Sequence, residues 1–388
     1  MNNFTFYAPT SILFGKNTES QVGNLIKNQG AKSVLLHFGG QSAEKSGLLT
    51  SIRKSLKESN INYCELGGVV PNPRLSLVYT GINLCKENNV DFILAVGGGS
   101  VIDSAKAIAF GVKYDGDVWD FYNDKVEPKD CVPLGCVLTI SAAGSEMSNS
   151  TVITKDEGMI KRGASADCCR LKFSILNPEL TYTLPAYQTS SGIVDIIMHT
   201  MERYFTKDEP MMMTDSIAES VIKTVITNAR ILINEPENYN ARAEIMWAGS
   251  LSHNGLTGLG ATHDWATHQL EHELSGMFDV AHGAGLSAIW GSWARYVYNE
   301  KPERFETFAK RIFDIDGKDA DTKGIEAMEA FFKEIKMPIS IPELLGKKIT
   351  DKEIDELTEK CAYNGREIGG FKKLDKAQMR EIYVNANK

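Results

Sequence analysis

Phe92-Ile93-Leu94-Ala95-Val96-Gly97-Gly98-Gly99-Ser100-Val101-Ile102-Asp103-Ser104-Ala105-Lys106-Ala107 is the stretch that decides the fold. Five apolar residues, three glycines and a helix-forming run predict a strand covered on both faces, a tight turn and a helix. Residues without Cβ let backbone N–H groups approach a ligand, and the helix N-terminus beyond them carries a partial positive charge suited to pyrophosphate. Gly97, Gly98, Gly99 and Ser100 are therefore candidate dinucleotide-binding residues. Ser100 and Asp103 have capping-box spacing, which would mark the helix start. The pattern is not GxGxxG, so the glycine roles of the ordinary dinucleotide fingerprint do not carry over.

Outward from this stretch, 33–38 and 132–140 are also continuous apolar runs, and 42–58 and 75–88 carry Leu, Ile and Val at helical spacing. This alternation predicts a parallel sheet wrapped by helices, an α/β dinucleotide-binding domain over residues 1–184. The strand-like 173–176 and the turn Asn177-Pro178 lead to Leu184-Pro185, where a proline suited to a helix's first position sets the boundary. Beyond it, amphipathic segments at 189–204, 214–233, 241–253, 263–274, 285–298 and 302–313 predict an all-α domain over 185–388.

The whole chain has 388 residues, 43% hydrophobic and 24% charged, the composition of an ordinary globular protein. Its net charge of -8 disfavours phosphate backbones and anionic lipid surfaces. No apolar run approaches the ~18 residues of a spanning helix, and Met1 to Tyr7 lack the basic start of a signal peptide. The expectation is a cytoplasmic protein acting on a small molecule, with no nucleic-acid or membrane partner. Seven cysteines, an odd count without CxxC spacing, read as buried inert thiols.

A second glycine-rich turn, His37-Phe38-Gly39-Gly40-Gln41-Ser42, has no acidic residue to hold a ribose 2′-hydroxyl. Gly39, Gly40, Ser42 and Lys45 are candidate cofactor residues; Ser42 and Lys45 suit a 2′-phosphate, and Glu44 opposes it. The balance tips toward NADP(H) and leaves NAD(H) open. Thr139, Ser141 and Ser145, in the turn 139–146, either offer hydroxyls to the same cofactor or form a plain loop.

Five of the seven histidines lie between His253 and His282, and His199 follows Asp195 by four residues. On a helix Asp195 and His199 share a face. On one unbroken helix His268 and His282 would stand about 21 Å apart, so the chain must fold back between them for both to reach one ion. Ser275-Gly276 is the expected stop and Asp279 the expected restart, with His282 in the next helix's first turn. Asp195, His199, His268 and His282 would then hold one cation, and the N/O donor set suits Fe²⁺ or Zn²⁺. His37, His253 and His263 read as ordinary core or surface histidines.

With Pro71-Asn72-Pro73, Asp103 and Lys106 after the glycines, Gly144-Ser145-Glu146, Gly192 before Asp195 and His282-Gly283, the chain resembles the iron-dependent (group III) alcohol dehydrogenases. Within them it is most similar to the butanol dehydrogenase-like aldehyde reductases. The resemblance implies a dehydroquinate synthase-like fold, the same four metal ligands, Lys161 near the cofactor ribose, His272 near the nicotinamide, and a homodimer. It also implies reversible hydride transfer between NAD(P)H and an aldehyde or primary alcohol. His272 and Asp103 are the candidate catalytic side chains, Asp103 being a cofactor-binding candidate as well, and His272, water or a ribose hydroxyl would carry the proton. Ala143 stands where the family usually has Thr, which removes a hydroxyl from the turn. A polyol dehydrogenase or a dehydroquinate synthase-type lyase would fit the same fold. A metal-dependent hydrolase or a non-catalytic metal-binding protein would leave the glycine turn unexplained. Met147, Trp265 and Phe278 are candidate apolar lining of the substrate pocket.

Overall fold

Burial sorts the strands of the first half into a sheet with two rims. The computed structural model describes residues 1–388. One unit, Tyr7–Thr183, runs β1 (Ser11–Phe14), α1 (Val22–Asn28), β2 (Ser33–Phe38), α2 (Ser42–Lys45), α3 (Leu48–Glu58), β3 (Asn62–Leu66), α4 (Leu75–Glu87), β4 (Phe92–Gly97), α5 (Gly99–Val112), β5 (Leu134–Leu138), β6 (Ser150–Lys155), β7 (Ile160–Ser165) and β8 (Phe173–Leu176). Six strands form a parallel sheet in the order β1-β8-β5-β4-β2-β3. Every residue of β4, β5 and β8 is buried, whereas the rim strands β1 and β3 show exposed positions. Central strands with helices on both faces have no solvent side, hence their unbroken apolar runs.

Several local expectations are corrected. The segment 42–58 is two helices, α2 and α3, separated at Ser46-Gly47. The strand within 132–140 shrinks to Leu134–Leu138. A hairpin, β6 with β7, stands apart from the main sheet and had no sequence signal in the apolar runs. Helix α5 begins at Gly99, and its N-cap Gly98 receives no side-chain bond, so Ser100 and Asp103 form no capping box.

His37, on β2, is a satisfied core group. Its Nδ1–H donates to the Leu66 carbonyl at 2.8 Å, and its Nε2 accepts from Ser104 Oγ at 2.9 Å. Burial pushes its pKa down to about 4, against a partial lift from the Leu66 bond. Between its unfolded value of 6.5 and about 4 the unfolded chain binds the proton and the folded one does not. Stability is therefore full above neutral pH and falls as the pH drops through that window, by about 3 kcal/mol from this residue. Urea midpoints from pH 7 to 4 are expected to fall less steeply in His37→Gln than in the unmodified protein. Equal slopes would refute the assignment.

The second unit, Leu184–Lys388 with Met1–Phe6, is helical: α6 (Ala186–Tyr204), α7 (Met212–Asn234), α8 (Tyr239–His253), α9 (Ala266–Phe278), α10 (His282–Val297), α11 (Pro302–Phe313), α12 (Ala320–Glu334), α13 (Ile341–Leu345), α14 (Asp351–Cys361) and α15 (Lys376–Ala386). Helix α6 is its axis. From Ser191 to Tyr204 every residue is buried, packed against α7, α8 and α10. A helix buried all round is expected to be apolar all round. Asp195, His199, Glu202 and Arg203 break that rule on one short stretch, and this anomaly points to the site.

Candidate functional site

Three helices bring the acid and the imidazoles together. Asp195 and His199 lie one turn apart on α6, His268 lies in the first turn of α9, and His282 is the first residue of α10. The reversal between the last two is tighter than expected: α9 runs through Ser275-Gly276 to Phe278 and stops at Asp279, which adopts left-handed backbone with φ 52°. His282 starts its helix as expected, three residues later than the restart read at Asp279.

Asp195 Oδ1 stands 3.2 Å from His199 Nδ1, 3.8 Å from His268 Nε2 and 3.7 Å from His282 Nε2. Donors 2.0–2.2 Å from one tetrahedral ion lie ~3.4 Å from each other, so these spacings fit a shared cation. Asp195 Oδ1, His199 Nδ1 and His268 Nε2 are buried without a hydrogen-bond partner. Orphaned polar atoms converging on one point are costly unless something there satisfies them. Asp195, His268 and His282 form one potential metal group, and Glu271, His272 and His282 another that shares His282; His199, the fourth expected ligand, stands beside Asp195 but belongs to neither group. The residues fit a divalent cation with oxygen and nitrogen donors.

Two carboxylates behind the imidazoles escaped the reading of the sequence. Glu202 accepts from His268 Nδ1 through Oε2 and from the His268 backbone N–H at 3.1 Å, and Glu271 pairs with His282 Nδ1. Both acids are at most 1% exposed. Each fixes its imidazole with the proton on Nδ1, leaving the Nε2 lone pair directed at Asp195 and strengthening it as a ligand. Without a cation, burial disfavours a charged His268, but Glu202 and Asp195 outweigh it and lift its pKa to about 9, so a metal would take the Nε2 lone pair only by displacing that proton. His199 is held neutral, first by burial and then by His253, His268 and Arg203 nearby.

Trp265 braces the cluster. It enters α9 in left-handed backbone, φ 63°, with its ring centre 5.3 Å from that of His268 and 5.9 Å from those of His199 and His253. The Arg203 guanidinium sits 4.5 Å over the same ring. The conformation is held by Asp264, whose carboxylate accepts from the N–H groups of Ala266, Gly370 and Phe371. His263 bonds the Gly258 carbonyl, and the His253 ring centre lies 4.0 Å from that of His199, tilted by 49°, so His253 is a neighbour of the cluster. His272 is half-buried, 5.8 Å from the His282 ring. Phe278 packs on the helical core.

In the sheet unit the glycine turn follows β4 and opens α5, whose first N–H groups have no partner within the helix. A Cβ on Gly98 would lie 2.0 Å from Ile140 Cγ2, and one on Gly99 3.0 Å from Ala143 Cβ, so the turn 139–146 packs directly on it. A Cβ on Gly39 would lie 3.8 Å from Val101, which places the β2 turn beside α5's start. Gly40, Ser42 and Lys45 are exposed; Gly39, Ser100, Thr139 and Ser141 are half-buried. Glu44 is engaged by Arg53 at 2.8 Å, which also grips Glu65. Two candidates are drawn inward instead. Ser145 Oγ donates to Asp103 Oδ1 at 2.6 Å, and Asp103 Oδ2 accepts from the Val152 N–H at 3.0 Å. Both carboxylate oxygens of Asp103, a catalytic and cofactor candidate, are engaged within the sheet unit. Lys161 is buried on β7, near enough to favour the charged form of Asp103, which burial opposes. Met147 is buried as well.

The sheet unit thus carries a glycine turn at a helix start, and the helical unit carries one aspartate among three imidazoles. Residues 9–178 match the family described as iron-containing alcohol dehydrogenase, and residues 189–387 match the C-terminal domain of the Fe-containing alcohol dehydrogenases. The chain belongs to the iron-containing alcohol dehydrogenase family. It is 41% identical to the probable NADH-dependent butanol dehydrogenase 1 of Bacillus subtilis, over 98% of this chain and 99% of that one. It is 35% identical to the NADPH-dependent aldehyde reductase YqhD of Escherichia coli, over 92% and 96% of the two chains. The crystal structure of an NADH-dependent butanol dehydrogenase A from Thermotoga maritima superposes with a TM-score of 0.96 at 38% identity, covering 100% and 99% of the chains. No helix is long and apolar enough to cross a membrane, and all seven cysteines are free.

Proposed function

We propose that this chain catalyses reversible hydride transfer between NAD(P)H and a small aldehyde, yielding a primary alcohol, in the manner of a butanol dehydrogenase. The observation that carries the reading is the grouping of Asp195, His268 and His282 at ligand reach of one another, with the unpartnered His199 Nδ1 beside the same Asp195 oxygen, in a chain that also carries the glycine turn. Asp195, His199, His268 and His282 would hold Fe²⁺ or Zn²⁺. Such an ion supplies Lewis acidity toward a carbonyl oxygen.

The chain's own residues do the rest. Glu202 and Glu271 keep two imidazoles in the tautomer that presents Nε2. His272, half-buried beside His282, is the side chain that would carry the proton. Gly97 to Ser100 receive the pyrophosphate, with Thr139, Ser141 and Lys161 around it, and Gly39, Gly40, Ser42 and Lys45 meet the adenosine ribose. NADP(H) is the favoured coenzyme, because the charge of Glu44 is taken up by Arg53 and leaves Lys45 to a 2′-phosphate. Free thiols favour the cytoplasm. The open rim strand β1, preceded by exposed Tyr7, favours a homodimer.

The test is a panel of linear aldehydes assayed with NADPH and with NADH, alongside elemental analysis of the purified protein. Activity is expected to track bound iron or zinc, and Lys45→Ala is expected to raise KM for NADPH several-fold while sparing NADH. Full activity in rigorously metal-free protein would end the proposal, and equal effects on both coenzymes would end its NADP(H) part.

A further inference from the structure

The sheet unit encloses an ammonium that the proposed chemistry does not use. Lys106, two turns into α5, has no exposed surface. Its Nζ lies 2.7, 3.0 and 2.8 Å from the carbonyl oxygens of Ser145, Ser148 and Ser150, and 3.1 Å from the hydroxyl oxygens of Ser145 and Ser148. An ammonium has three N–H donors, and three carbonyls saturate it. The Ser145 hydroxyl is thereby left to donate to Asp103, one turn earlier on the same helix. Asp103 adds a bond to the Val152 N–H, and its own carbonyl accepts from Thr151 Oγ1 at 2.8 Å. Two charges from one helix thus clamp the segment 145–152.

What they clamp leads back to the glycine turn. Ile140 and Ala143, at the near end of the same loop, press on Gly98 and Gly99. Helix α5 starts at that turn, so the ammonium ties the floor and the wall of one crevice to a single rod. A buried charge is retained at a desolvation cost that neutral packing would avoid, and its return here is a fixed loop.

We propose that Lys106 is a positioning residue for the coenzyme: a tethered cation in a cage of three main-chain carbonyls that holds the loop 140–150 packed against Gly98 and Gly99, so that the turn keeps the shape a dinucleotide meets. The proposal rests on the coenzyme reading of the glycine turn. It implies that the cage accepts a free ammonium once the side chain is removed.

The experiment titrates NADH and NADPH into the full-length protein and its Lys106→Ala and Lys106→Met variants by coenzyme fluorescence, with kcat and KM in parallel. Coenzyme Kd is expected to rise at least tenfold in both variants, with kcat at saturating coenzyme within about threefold. Propylammonium chloride is expected to restore at least threefold of the lost affinity in Lys106→Ala, while tetramethylammonium chloride restores none. Lys106→Met keeps the volume of the stem and serves where Lys106→Ala does not fold. Unchanged coenzyme affinity in a folded variant, absence of rescue by propylammonium, or failure of both variants to fold would each overturn the proposal and leave the lysine a stability element. If the unmodified protein bound neither coenzyme, the coenzyme reading itself would fall, a separate and recognisable result.

Discussion

His268→Ala is expected to lower kcat/KM for aldehyde reduction by a factor of 10³ or more, to release the metal, and to leave NAD(P)H affinity within about threefold. The reasoning starts from the donor set. Asp195 Oδ1, His268 Nε2 and His282 Nε2 group within ligand reach, with His199 Nδ1 3.2 Å from the same oxygen, so His268→Ala removes one of three grouped donors. Polarisation of a carbonyl by a cation supplies several kcal/mol of transition-state stabilisation, and each 1.36 kcal/mol is tenfold in rate. Coenzyme binding is assigned to the sheet unit, so it should respond little. The variant also strips Glu202 Oε2 of its donor, and a buried carboxylate left without one costs about 1–3 kcal/mol or more, so its melting temperature should fall as well. Glu202→Gln separates the two effects: it keeps an oxygen at the same place, removes the charge, and is expected to weaken metal affinity 10- to 100-fold. Stoichiometric metal with undiminished turnover in His268→Ala would remove His268 from the site.

The sequence made some of this arrangement legible and hid the rest for identifiable reasons. Strand β4 and the start of α5 could be read because a strand covered on both faces has no polar positions to confuse the pattern. The hairpin β6–β7 could not. Its strands mix Ser, Thr, Lys and Arg with apolar residues, as suits a two-stranded element beside α5 rather than within the sheet. The histidine clustering pointed to the proposed ligands, but Glu202 and Glu271 looked like any acid near a histidine on a helix. Only their burial distinguishes them. Ser275-Gly276 read as a helix stop because glycine ends helices so often. Both residues are buried within α9 instead, and an aspartate in left-handed backbone makes the turn. Asp103 read as a cap because spacing is blind to the direction of a side chain, and here it points at a loop more than forty residues downstream.

The glycine after His282 leads to the second large effect. Gly283→Ala is expected to cost at least 10² in kcat/KM and to lower metal affinity comparably, although the substitution removes no ligand. A Cβ at this position would sit 1.9 Å from the Ser191 carbonyl oxygen and 2.8 Å from Ser191 Oγ. Ser191 lies on α6, one turn before Asp195, and Gly283 lies in the first turn of α10, immediately after His282. The obstacle is helix backbone on a fully buried element, which no rotamer change relieves, so the two helices must separate by about 1 Å or more to reach ordinary contact. That shift draws His282 Nε2 away from Asp195 Oδ1, now 3.7 Å apart. Metal sites tolerate only ~0.2 Å in their ligand distances, and a misplacement of about 1 Å is enough to cost ~10²-fold in catalysis. Overpacking adds about 1–3 kcal/mol of destabilisation, so metal affinity should be measured on protein shown to be folded by circular dichroism. Gly283→Ser should act in the same direction and further, because the Cβ clash is common to both. The His-Gly pair would then act as a single device: the imidazole would supply the proposed ligand, and the absent side chain beside it lets α10 approach α6 closely enough to bring that imidazole to Asp195. Wild-type metal affinity in a folded Gly283→Ala protein would mean that the approach of these helices is looser than the Ser191 contact requires.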